Sequence, residues 1–261
     1  MTQLVLGLLL FVVAALGSVV RVEVTEHSDV LGGRPFGPAG PYERIAGKVY
    51  FEADPKIAAN RIISDIDLAP VNAHGKVEFS ADLVVLRPRD PAAGNGIVFL
   101  EICNRGRKTM LSTFNQASSS LNPSTPADFG DGLLLERGFT LVWLGWQHDV
   151  PRDPALLRLY APVARQNGKP VTGLVRSQYV PTSRVLSFYL GDRTMIAYPV
   201  LDPNDPLNEV TVRDSVTGSR KVIPRKQWQF SRDEDGKPVP DRTRIFMASG
   251  FEPGRIYEVV Y

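Results

Sequence analysis

Gly96-Ile-Val-Phe-Leu-Glu-Ile-Cys103 and Phe139-Thr-Leu-Val-Trp-Leu-Gly-Trp146 are the stretches that decide the fold. Each is a short, nearly continuous apolar run, the pattern of a strand buried on both faces. Between them, Thr125-Pro-Ala-Asp128 reads as a helix start. Thr can cap, Pro suits the first turn, and Asp favours the positive end of the helix dipole. Leu133 to Gly138 continues that helix, with Gly138 as its stop. Strand, helix and strand in this order predict one βαβ unit and a piece of parallel sheet.

On the N-terminal side, Tyr42 to Glu52 reads as a strand after the Gly/Pro-rich stretch Gly32 to Pro41. Arg61 to Leu68 alternates and reads as another. Lys76 to Arg87 reads as a long strand, entered through the turn Asn72-Ala-His-Gly75. On the C-terminal side the character is antiparallel. Short strands are expected at Gln178–Val180, Val185–Leu190, Glu209–Arg213, Arg220–Ile223, Trp228–Phe230 and Arg244–Met247, with a hairpin turn at Ser215-Val-Thr-Gly218. The last strand, Ile256 to Val260, runs to Tyr261 without a turn or cap. The expected class is therefore a strand-rich α/β fold: one βαβ unit, with residues 163–250 as an antiparallel β insertion. The 261 residues suit one large domain or two small ones, and 22 Gly and 21 Pro punctuate a chain of strands and turns.

Leu4 to Val13 is almost wholly apolar and is followed by Ala14, Ala15, Gly17 and Ser18. Ala15-Leu-Gly17 fits the small-x-small pattern of signal peptidase, so residues 1–17 read as a signal peptide cleaved before Ser18. The expected location is secreted or periplasmic, with residues 18–261 as the mature domain. The apolar run is too short for a stable membrane span, which needs about 20 residues. Extended through Val20 it becomes a marginal uncleaved anchor, the alternative. Met1-Thr-Gln3 lacks the basic residue usual in such leaders.

Lys and Arg number 30 against 28 Asp and Glu, a net charge of +2. Spread along the chain, that balance gives nucleic-acid binding no electrostatic footing. The single cysteine, Cys103, can form no internal disulfide and reads as a buried strand thiol. No nucleophile elbow G-x-S-x-G, phosphate loop, dinucleotide fingerprint or zinc motif occurs, so neither a cofactor nor a metal is expected. His27, His74 and His148 lie far apart and read as turn or surface residues. Asp65 and Asp67 read as the solvated side of a strand.

Two polar segments follow the two apolar strands, and ligand sites in parallel sheets form beyond the carboxyl ends of strands. Asn104-Arg-Gly-Arg-Lys108 makes Asn104, Arg105 and Gly106 candidates for an oxyanion-type turn, or simply for a tight turn with solvated arginines. Gly145-Trp-Gln-His-Asp149 makes Trp146 and Gln147 candidate pocket residues, or rim packing.

Collinear segments across nearly the whole chain after residue 17 resemble the bacterial α/β-hydrolase domain-containing proteins. They are Gly32-Gly-Arg-Pro-Phe-Gly-Pro-Ala-Gly-Pro-Tyr-Glu43, Asp65-Ile-Asp-Leu-Ala-Pro-Val-Asn-Ala-His-Gly-Lys-Val-Glu-Phe79, Asn104–Lys108, Gly138–Asp149, Gln227-Trp-Gln-Phe230 and Gly250-Phe-Glu-Pro-Gly-Arg-Ile-Tyr-Glu258. The resemblance implies a partial α/β-hydrolase-like sheet and, in a longer protein, a serine elbow, acid and histidine after a segment like Ile256–Tyr261. No residue here takes the role of that nucleophile. His148 also departs from the small residue expected at its place. The implied function is the front part of a secreted ester-type hydrolase acting on a small ester-like molecule, inactive alone and pairing with a missing C-terminal half. The alternative is a non-catalytic, exported β-rich binding module or a complementing subunit.

Overall fold

The computed structural model describes residues 18–191 and 195–261. The leader expected at 1–17 lies outside the described residues. The first sheet holds β1 (Ser18–Asp29), β2 (Tyr42–Ala53), β3 (Val77–Pro88), β4 (Val98–Cys103), β5 (Thr140–Gly145) and β6 (Leu159–Tyr160). Its order is β1-β2-β3-β5-β4, and β6 pairs with β3 at Ser80 and Ala81. β4 and β5 run parallel, Val98 opposite Thr140 through Cys103 opposite Gly145. Every other ladder among the described residues is antiparallel.

The expected α/β class is corrected by this architecture. Strands hold 39% of the described residues and helical turns 15%, so the fold is mostly β. The crossover from β4 to β5 contains α1 (Met110–Phe114) and α2 (Leu133–Glu136), of five and four residues. The expected helix from Thr125 stops after one 3-10 turn, Pro126–Asp128. Gly130 and Gly132 then take positive φ, and a Cβ at Gly130 would lie 1.9 Å from the Asn115 carbonyl oxygen. The backbone bends where a helix would have to continue. In the preceding stretch, Pro123 removes a helical donor and Ser118, Ser119 and Ser120 favour turns over helix interiors.

One face of the first sheet is covered. Tyr42, Val84, Leu86, Leu141 and Trp143 pack there with Met110, Phe129, Leu134 and Leu135 of the crossover. The Tyr42 hydroxyl lies 2.9 Å from the carbonyl oxygens of Leu135 and Phe139, which ties β2 to the crossover. The other face is open at β4, where Val98, Leu100 and Ile102 are 60%, 50% and 45% exposed. The expectation that β4 is buried on both faces therefore fails. β4 is an edge strand, and alternate residues point to opposite sides. The run Arg61–Leu68, expected as a strand, forms 3-10 turns at Ala58–Ile62 and Ile66–Leu68, with Asp65 left-handed at φ 57.

Beyond a small hairpin, β7 (Arg165–Gln166) and β8 (Lys169–Pro170), come β9 (Arg176–Tyr179), β10 (Val185–Tyr189), β11 (Glu209–Arg213), β12 (Lys221–Val222) and β13 (Trp228–Gln229). The hairpin β14 (Ser231–Glu234) and β15 (Lys237–Pro240) follows, then β16 (Arg244–Phe251) and β17 (Ile256–Val260). Sheets β12-β11-β17-β9 and β10-β16-β13 enclose a second core of Phe188, Val210, Trp228, Ile245, Phe251, Tyr257 and Val259. β17 lies between β11 and β9 and is bonded on both edges.

Candidate functional site

The parallel pairing of β4 and β5 brings the two candidate segments together at their carboxyl ends. Asn104–Gly106 form a tight 3-10 turn in which Arg105 has φ 55 and Gly106 φ 75. Glycine is required at 106 on two counts. Its φ is left-handed, and a Cβ would sit 2.8 Å from the Leu157 carbonyl oxygen. The Gly106 carbonyl in turn accepts the Leu157 amide at 3.0 Å.

The Arg105 amide donates to Gln147 Oε1 at 2.6 Å. Its guanidinium donates from Nη1 to Asp149 Oδ1 at 2.8 Å and from Nη2 to the Asp149 carbonyl at 3.2 Å. Both side chains of the ion pair are mostly buried. Arg105, Gly106 and Gln147 thus form one network, and Asp149 is the member that the residue pattern did not single out. Asn104 is exposed, and Trp146, 62% exposed, stands at the rim. The amide expected to serve an oxyanion is bonded to the Gln147 side chain. His148 Nε2 lies 3.0 Å from the Tyr198 hydroxyl, a link from β5's loop to the second half of the chain.

Behind the turn, Glu101 points inward from β4. It accepts from Trp143 Nε1 at 2.7 Å, Met110 N at 2.8 Å and Thr109 Oγ1 at 2.6 Å, and so fixes the start of α1. An acid inside an apolar run was its signal in the sequence, because a buried carboxylate needs donors. Lys108, 7% exposed, donates to the carbonyls of Leu121 at 2.5 Å and Ala155 at 2.9 Å. Burial, together with the charge of Arg44, pushes its pKa down to about 8. Nothing in the local pattern Arg105-Gly-Arg-Lys108 distinguishes this lysine from a solvated one.

Among the described residues, no serine or cysteine side chain is hydrogen-bonded to a histidine. His27 Nε2 lies 2.7 Å from Glu43 Oε2, and His148 faces Tyr198. Cys103 is fully buried, and burial pushes its thiol up to about 12, which keeps it protonated and unreactive at neutral pH. No group of three or more His, Cys, Asp or Glu among the described residues could hold a metal, and no described helix is long and apolar enough to cross a membrane. No protein-family model matches the chain, and neither curated proteins nor solved structures show a significant match to it.

Proposed function

We propose that this chain is the substrate-facing front portion of an exported, ester-type hydrolase and does not hydrolyse esters by itself. The observation that carries the proposal is the Arg105–Gln147–Asp149 network at the carboxyl ends of the parallel pair, the usual place for a ligand in such sheets. It fixes Arg105 and Gln147 in place, the guanidinium on Asp149 and the Arg105 amide on Gln147, but no hydroxyl activated by an imidazole lies among the described residues. The collinear resemblance supplies the reaction class. The nucleophile comes from a C-terminal half, joined in the same chain or as a separate subunit.

The purified chain is expected to show no steady turnover of p-nitrophenyl acetate or butyrate. Turnover abolished by a single serine substitution would overturn the proposal. Export is tested with a reporter fused after Gly17 and active only outside the cytoplasm. A silent reporter would remove export from the proposal.

A second reading, a non-catalytic β-rich binding module, is favoured by the well-enclosed second core. Reconstitution separates the two. Adding a separately expressed segment that bears G-x-S-x-G, encoded next to this reading frame, should restore esterase activity only if the first reading holds.

A further inference from the structure

A half-open cleft of about 710 Å³ lies on the covered side of the first sheet, between β1–β3 and the segment Arg152–Tyr160. That volume falls in the range of small-molecule sites. Four cationic side chains, Arg44, Lys108, Arg152 and Arg158, line it against three carboxylates, Glu26, Asp82 and Asp153. The carboxylates are largely engaged. Glu26 is within 3.4 Å of Arg44. Asp82 accepts the Arg158 amide and the Tyr160 hydroxyl and lies 3.8 Å from Lys48. Asp153 accepts the Ala155 amide at 2.9 Å.

Three of the cations are not matched in the same way. Lys108 is bonded to two carbonyls and to no carboxylate. The Arg158 guanidinium donates to the carbonyls of Val150 and His148, and its buried Nε has no partner. Arg152 makes no hydrogen bond or ion pair among the described residues. Ala46, Leu156 and Leu157 supply an apolar wall beside these charges.

We propose that this cleft binds a small organic monoanion, a carboxylate carried on an apolar body. Lys108, Arg152 and Arg158, which have no carboxylate partner, leave positive charge for the ligand to balance. A guanidinium presents paired donors in the geometry of a carboxylate, and the leucine wall takes the hydrocarbon part. An inorganic phosphate or sulfate leaves the apolar wall wet. The proposal goes beyond the hydrolase reading and does not rest on it, because binding is measured without turnover.

The test is isothermal titration of the whole chain with sodium octanoate at neutral pH and low salt, using methyl octanoate and sodium sulfate as competitors. One saturable site is expected, displaced by neither competitor at equal concentration. Arg152→Glu should weaken octanoate by about tenfold or more, the loss expected for one charge-assisted contact, while Arg152→Lys retains binding. Arg152 makes no hydrogen bond within the described chain, so both variants should fold, and circular dichroism checks this. No octanoate binding, equal binding to Arg152→Glu, displacement by methyl octanoate, or preference for sulfate would each overturn the proposal.

Discussion

Strands β4 and β17 are both short and mostly apolar, Val-Phe-Leu-Glu-Ile-Cys against Ile-Tyr-Glu-Val-Val, yet their surroundings are opposite. β17 lies between two strands, and its first four residues are buried. β4 has one neighbour and leaves every second residue exposed. Each strand carries one inward acid, and each acid finds donors. Glu101 binds an indole and the start of a helix, while Glu258 lies between Arg176 and Arg220. An apolar run shows that a strand gains from cover. Whether both faces receive it depends on elements far away in sequence.

The largest effect that would break this contrast is at Tyr257. It is buried, its hydroxyl accepts the Glu252 amide at 2.8 Å, and its ring meets Phe251 edge-on at 4.9 Å. Tyr257→Ala should cost about 3–5 kcal/mol in urea unfolding. A loss no larger than that of an exposed β4 residue would mean that the second core is loosely packed.

Acid should separate the two halves next. Glu43 on β2 is 7% exposed, and its hydrogen bond to His27, with Arg87 beside it, holds its carboxyl below the ordinary 4.5. A lowered folded pKa stabilises above the unfolded value, and that contribution disappears as pH falls through the folded one. Glu43→Gln should cost about 1–3 kcal/mol at neutral pH and flatten the loss of stability below about pH 4.5. Hydrogen exchange should show β2 and β3 opening before β17 as pH falls. An unchanged acid slope in the variant would show that other carboxylates govern it.

Gly106→Ala, at the turn that ends β4, combines a left-handed φ with the close Leu157 carbonyl and should cost about 1–3 kcal/mol. Gly254→Ala, just before β17, has φ 76 but open space around it. It should cost about 1 kcal/mol, from the backbone conformation alone. Thermal melts of the pair measure the steric part directly.

The smallest effect is expected on the open face. Leu100→Ser should change stability by less than about 0.5 kcal/mol and reduce self-association in light scattering, because an exposed apolar edge is a template for pairing. A large destabilisation would show that something covers β4 in solution.

Much of the first sheet was legible in the residues. Alternation marked Tyr42–Ala53 and Val77–Pro88, and continuous apolar runs marked β4 and β5. β1 was missed although Arg21-Val-Glu-Val24 alternates, because the pattern adjoins the apolar run that begins at Leu4 and merges with it. The strand expected at Arg61–Leu68 failed because its ends are held by local bonds. The Asn60 side chain donates to the Asp54 carbonyl at 2.8 Å, and the Leu68 amide donates to Asp65 at 3.0 Å. The helix expected from Thr125 failed at Gly130, where a neighbouring backbone occupies the Cβ position. The candidate site was partly legible for a similar reason. Polar residues following apolar strands could be seen, whereas Asp149's pairing with Arg105 and the burial of Lys108 could not.

The sequence by itself determined where the strands β2 to β5 run, that two polar segments follow the two apolar strands, and that no serine elbow is present. Those are local properties, fixed by side-chain period, turn residues and short motifs. Only the tertiary structure decided that the fold is mostly β, that β4 is an open edge while β17 is enclosed, and that three unmatched cations line one cleft. Each of these depends on contacts between residues far apart in sequence, and neither period nor composition records which distant segments meet.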